Sequence, residues 1–140
     1  MRRTLLCGMV LALAGVAAAL VPAADTKADA NGKAPYAHVV IFRMKKDAPK
    51  DAVEKAIADC HEYLAKIRAV RSVRAGRPAE KGTPDVPKME YDFALLVLVE
   101  NADGLEKYLK DPLHLKFVDK HGPFFDMEKL QVFDFVNQSK

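Results

Sequence analysis

The chain has no tryptophan, two cysteines and seven scattered glycines in 140 residues. Each shortage excludes something. There is no glycine-rich phosphate loop, no nucleophile elbow and no metalloprotease helix motif, which removes the commonest nucleotide-binding and hydrolytic classes. The four histidines, at 38, 61, 114 and 121, lack the tight spacing of a metal site, and no cysteine pair supplements them. Neither a metal nor another cofactor is expected. Long apolar runs are also scarce. The only extended one is Leu5–Val21, 17 residues without a charge.

That run follows Arg2 and Arg3 and precedes the small residues of "VPAAD". This is the layout of a secretory signal peptide, with Val21 and Ala23 as its small-residue cleavage pattern. The run is also long enough to act as an uncleaved anchor. Residues 1–23 are read as the signal peptide, 24–35 ("ADTKADANGKAP") as a flexible linker, 36–136 as one domain and 137–140 as a tail. The mature protein is expected in the periplasm or outside the cell, free of the membrane once the leader is removed. With Arg2 and Arg3 in the leader, the 22 basic residues become 20 against 19 acidic ones. The near-neutral mature chain gives no electrostatic warrant for nucleic-acid binding. Cys60 is then the sole cysteine, so no internal disulfide can support the fold.

The pattern within the domain is legible. "YAHVVIFRM", Tyr36–Met44, is β-branched and aromatic and predicts a strand, with His38, Val40, Phe42 and Met44 on one face. Asp47 as N-cap and Pro49 in the first turn open a helix whose apolar face runs Val53, Ala56, Ile57, Cys60, Leu64, Ile67. Arg68, Arg71, Arg74 and Arg77 recur every third residue, a period that fits neither a helix nor a strand; an exposed edge strand over Val70–Arg77 is the reading. Phe93–Val99 is a seven-residue apolar strand. A short helix capped by Asn101 or Asp103 ends or is offset at Pro112, a second segment comes after it, and Glu128–Val136 is the last strand.

The order βαββαβ predicts an α+β, ferredoxin-like sandwich: an antiparallel sheet with its helices on one face. In such a sheet one face is solvated and strands alternate. Phe93–Val99 does not alternate, so its second face requires a cover that this chain lacks. A second copy, packed sheet to sheet as a two-fold homodimer, is the simplest one. Phe42, Met44, Phe133 and Phe135 are candidates for either buried face.

"HVVIFRMKKDAPKD", "YDFALLVLVEN", "LEKYLKDPLHLKF" and "EKLQVFDF" together resemble the stress-responsive dimeric α+β barrel (Dabb) family over residues 36–136. The resemblance implies a dimeric α+β barrel, and for many members no settled activity. One plant member cyclises a linear polyketide thioester. Its catalytic histidine and tyrosine align with His114 and Tyr108, its first-strand histidine with His38, and a third-strand histidine with Phe93. His38, Phe93 and His114 are thereby implied as ligand-contacting positions, and Asp111 stands where that cyclase has another histidine.

Each candidate also has a plainer role. His114 could close a helix end, and His38 could be a hydrogen-bonded core histidine. His61 and His121 read as exposed or capping, and Cys60 as inert core. The expected protein is an exported homodimer, ligand-binding or structural and stress-associated, with a small hydrophobic molecule as a possible ligand. The alternative is a cyclase, lyase or isomerase in which His114 is the general base and Tyr108 polarises a carbonyl.

Overall fold

The computed structural model describes residues 36–82, 84 and 89–138. The leader and linker read over 1–35 lie outside the described residues. Four strands, β1 (Tyr36–Phe42), β2 (Val70–Gly76), β3 (Phe93–Val99) and β4 (Gln131–Val136), form one antiparallel sheet in the order β2-β3-β1-β4. Helices α1 (Ala52–Glu62), α2 (Ala102–Lys110) and α3 (Pro112–His121) lie on one face. This is the α+β, ferredoxin-like arrangement expected.

The core lies between sheet and helices. Phe42, Phe93 and Phe125 form its aromatic end: Phe42 stacks on Phe93 at 4.2 Å with the planes 1° apart, and Phe125 tilts against both. Val40, Leu95, Val97 and Val99 continue the buried layer against Ala56, Cys60, Leu64 and Leu105. Burial pushes the Cys60 thiol up to about 12, which keeps it protonated and unreactive.

Several boundaries differ from the sequence reading, each for a local reason. The chain turns at Lys45–Ala52 before α1 begins, because Pro49 disfavours helical geometry at Ala48; Asp51, not Asp47, stands at the N-cap. The helix stops at Glu62 and tightens into a 3₁₀ turn over Leu64–Lys66, which still buries Leu64 and Ile67. Met44 lies outside β1, in an isolated bridge to Phe125. Asp126 and Lys129 close a turn ahead of β4, which delays its start from 128 to 131.

Pro112 does not break a helix. It is the first residue of α3, where its missing N–H costs nothing. Asp111 closes α2 and caps α3, its side chain accepting from Leu113 N at 2.8 Å. Asn101 caps α2 by accepting from Gly104 N at 2.9 Å. Gly104 lets α2 close on the sheet, since a Cβ there would stand 3.3 Å from the Val99 Cβ.

The period-three arginines also have a structural cause. The β2–β3 register shifts between Val70 and Ser72, so Arg71 is the extra residue of a bulge. Arg71 pairs with Glu100, Arg77 with Glu54, and Arg74 donates to the Val73 carbonyl. The strand is an edge strand, as its charges suggested.

The sheet face away from the helices carries Val39, Ile41, Ala94, Leu96, Leu98, Phe133 and Phe135. Both phenylalanines are 52% exposed in the single chain.

Candidate functional site

His38 enters the site from β1. It is buried on the helix-facing side and lies opposite Asp134 in the β1–β4 register. Paired positions on an antiparallel ladder place their side chains on one face with Cβ atoms about 5 Å apart. Here His38 Nδ1 lies 2.7 Å from Asp134 Oδ1. An ionised carboxylate accepts only, so the imidazole donates from Nδ1.

Tyr108 comes from α2 and is almost fully buried. Burial first, then the nearby Cys60, pushes its phenol well above the usual tyrosine value, so it stays protonated as a donor. Its ring meets His38 edge-on at 5.9 Å and His114 edge-on at 4.7 Å. The three rings form one row from strand to α3.

The helix junction makes that row possible. Six residues along an unbroken α-helix turn about 240°, which would point Tyr108 and His114 apart. Asp111 is extended instead of helical, and α3 sets off in a new direction. His114 is thereby returned to the Tyr108 ring.

His114 Nδ1 is buried and has no hydrogen-bond partner. Burial holds the imidazole below its ordinary value, with the His38 charge acting the same way; a hydrogen bond to the Leu109 backbone and the Asp111 carboxylate pull back and are outweighed. With the ring proton on Nε2, Nδ1 is an acceptor. An unpartnered buried acceptor costs about 1–3 kcal/mol.

The depressed value carries a sign. The unfolded chain takes up this proton at a higher pH than the native one, so native stability is complete above the ordinary 6.5 and declines as pH falls below it, until the folded imidazole also titrates. Replacing His114 by Asn is expected to flatten the difference between urea midpoints at pH 7.5 and 5.5. An unchanged difference would remove His114 as a source.

The structure brings His38, Tyr108 and His114 together. It does not bring Phe93, which pairs with Phe42, four residues along from the position opposite His38. At strand rise that is roughly 13 Å away. Phe93 belongs to the aromatic end of the core. The sequence reading missed Asp134, although an acid within "VFDFV" is a visible break in an apolar strand. His121 is a correction: it is buried, not exposed, and its Nε2 lies 2.7 Å from Asp59 Oδ2, tying α3 to α1. Burial alone would raise the Asp59 value; hydrogen bonds from Lys120 and His121 outweigh it and lower it. His61 is exposed as expected. Among the described residues, no three His, Cys, Asp or Glu side chains are grouped to hold a metal ion.

The model of the stress-responsive A/B barrel domain matches residues 37–137. The chain belongs to this family. Solved structures agree on the Dabb fold. A dimeric ferredoxin-like protein of unknown function from Thermobifida fusca superposes with a TM-score of 0.63 at 20% identity, over 76% of this chain and 93% of that one. A Dabb family protein from Mesorhizobium loti gives 0.61 at 22% identity, over 76% and 100%. The hydroxynitrile lyase of Passiflora edulis gives 0.63 at 16% identity, over 77% and 97%. At these identities the likeness is one of fold. No functionally curated protein matches the chain significantly.

Proposed function

We propose that this Dabb protein is an exported homodimer that binds a small, largely apolar molecule bearing a hydroxyl group, between its sheet and the α2–α3 junction. One observation carries the binding reading: the buried, partnerless Nδ1 of His114 beside the Tyr108 ring. A ligand hydroxyl donated to Nδ1 would remove the cost of that orphan acceptor, and Tyr108 would supply a donor. The uncovered apolar sheet face supports the homodimer, as does the dimeric state of the Thermobifida fusca protein. Export rests on the leader-like N-terminal run. It predicts a mature protein beginning near residue 24 in the exported fraction, which intact-mass measurement tests.

Binding is tested by titrating the wild type and His114→Ala with a panel of phenols and aromatic alcohols, following imidazole resonances. The wild type is expected to show saturable shifts at His114. The variant is expected to lose about 10- to 100-fold in affinity, the worth of a buried hydrogen bond. A folded variant with unchanged affinities would sink the pocket reading.

A lyase is the second reading, favoured by the adjacency of a neutral imidazole to a protonated phenol and by the fold shared with a hydroxynitrile lyase. In a cyanohydrin cleavage His114 Nδ1 would take the hydroxyl proton. The C–C bond would break to give a carbonyl compound, and the departing cyanide would take that proton back. Cyanide release from an aromatic cyanohydrin, lost in His114→Ala by about 10²-fold or more, would establish it.

A further inference from the structure

Three members of the period-three arginine series have partners: Arg71 has Glu100, Arg74 the Val73 carbonyl and Arg77 Glu54. Arg68, the first of the series, stands just before β2 and has none among the described residues. It is held in place by its backbone. Arg68 and Ala69 are the central residues of a tight turn, closed by Val70 N donating to the Ile67 carbonyl at 2.9 Å and anchored by the buried Ile67 side chain. This turn and the end of α2 border a cavity of about 490 Å³, lined by Arg68, Ala69, Lys107 and Asp111. Small-molecule sites occupy roughly 300–1,000 Å³.

Three of the four lining residues are charged, and they do not pair with one another. Among the described residues neither Arg68 nor Lys107 enters an ion pair. Other lysines on the helices do. Lys55, Lys66 and Lys110 each pair with the acid one helical turn before them. Lys107 has Asp103 and Asp111 one turn to either side and joins neither. One oxygen of Asp111 accepts from Leu113 N at 2.8 Å, which leaves the other without a hydrogen bond among the described residues. The walls therefore offer two cations and one carboxylate. A simple anion would suit the cations and be repelled by Asp111, and a simple cation would do the reverse. The complement is a small molecule that carries two acidic groups and one ammonium.

We propose that this cavity binds a small acidic zwitterion of the acidic amino-acid class, with its carboxylates on Arg68 and Lys107 and its ammonium on the open oxygen of Asp111. The guanidinium matches a carboxylate with two parallel N–H donors, and the lysine acts as a point charge. An ammonium only donates, so it needs the acceptor that Asp111 supplies. Asp111 keeps its cap on α3 while doing so. The assignment does not depend on the His114 site.

Titration of the protein with L-glutamate, followed at the amide resonances of Ala69 and Leu113, tests the site. Saturable shifts are expected. Arg68→Gln or Lys107→Gln should each weaken binding about fivefold, as both cations stay partly in water, and the double variant by more than about tenfold. Glutarate has both carboxylates and no ammonium, and is expected to bind about fivefold less tightly than glutamate. Asp111→Asn retains a good N-cap residue, so the α2–α3 junction is kept. In that variant glutamate should bind more weakly and glutarate more tightly than in the wild type. The absence of saturable shifts would overturn the site. Glutarate binding as tightly as glutamate to the wild type, or unchanged glutamate affinity in an Asp111→Asn variant with native circular dichroism, would overturn the zwitterion.

Discussion

A Val39→Glu variant is expected to be monomeric at micromolar concentration and to keep its far-UV circular dichroism. Val39 sits near the middle of the uncovered sheet face, paired in register with Leu96 on one side and Phe133 on the other, with no basic residue as a register partner. Its side chain points away from the core, so the fold of one copy does not depend on it. In a face-to-face pair, however, each copy would bury an unpaired carboxylate. An uncompensated buried charge costs about 3–5 kcal/mol, or between two and four decades of Kd. Sedimentation or light scattering reads the outcome. A variant that dimerises as tightly as the wild type would show that this face is not the interface.

Replacing Phe93 by Ala is expected to give the largest loss of stability, about 3–5 kcal/mol. The ring is fully buried, stacked flat on Phe42 and tilted against Phe125, so its removal leaves a cavity walled by two other rings. For a domain of about 100 residues this lowers Tm by more than about 12 °C. Differential scanning calorimetry measures it. The variant also separates the two roles offered for this position. A residue that contacted ligand would lose affinity at little cost in stability. Phe93→Ala should do the reverse, with affinity in the His114 site of the remaining folded protein unchanged.

The sequence was informative where one residue's environment is set by its neighbours along the chain. The β3 boundaries, the buried face of α1 and the inert Cys60 all follow from local periodicity. The unbroken apolar run of β3 was legible too, because an antiparallel strand that fails to alternate must be covered twice. Legibility declined where spacing fixes a face but not a position. Phe93 and Val97 share a face of β3, yet only the register of β1 says which of them lies by His38. His121 at a helix end reads as a cap until Asp59, 62 residues away, is seen to hold it. Pro112 was ambiguous for a different reason. Proline both ends and begins helices, and the choice is made by Asp111 immediately before it, whose carboxylate caps α3. Asp134 needed the β1–β4 pairing to acquire a partner at all.

The strand order has a consequence for synthesis. β1 is central, but both of its neighbours, β3 and β4, lie far downstream, and the His38–Asp134 contact spans 96 residues. A chain still leaving the ribosome therefore carries β1 with neither edge occupied until residue 99, and with one edge bare until residue 136. Loop closure of that length is slow compared with the formation of α1. The sheet therefore cannot close until nearly the whole of the described chain has been made. A circular permutant that starts at β4 would set β4 and β1 side by side along the chain and allow earlier closure.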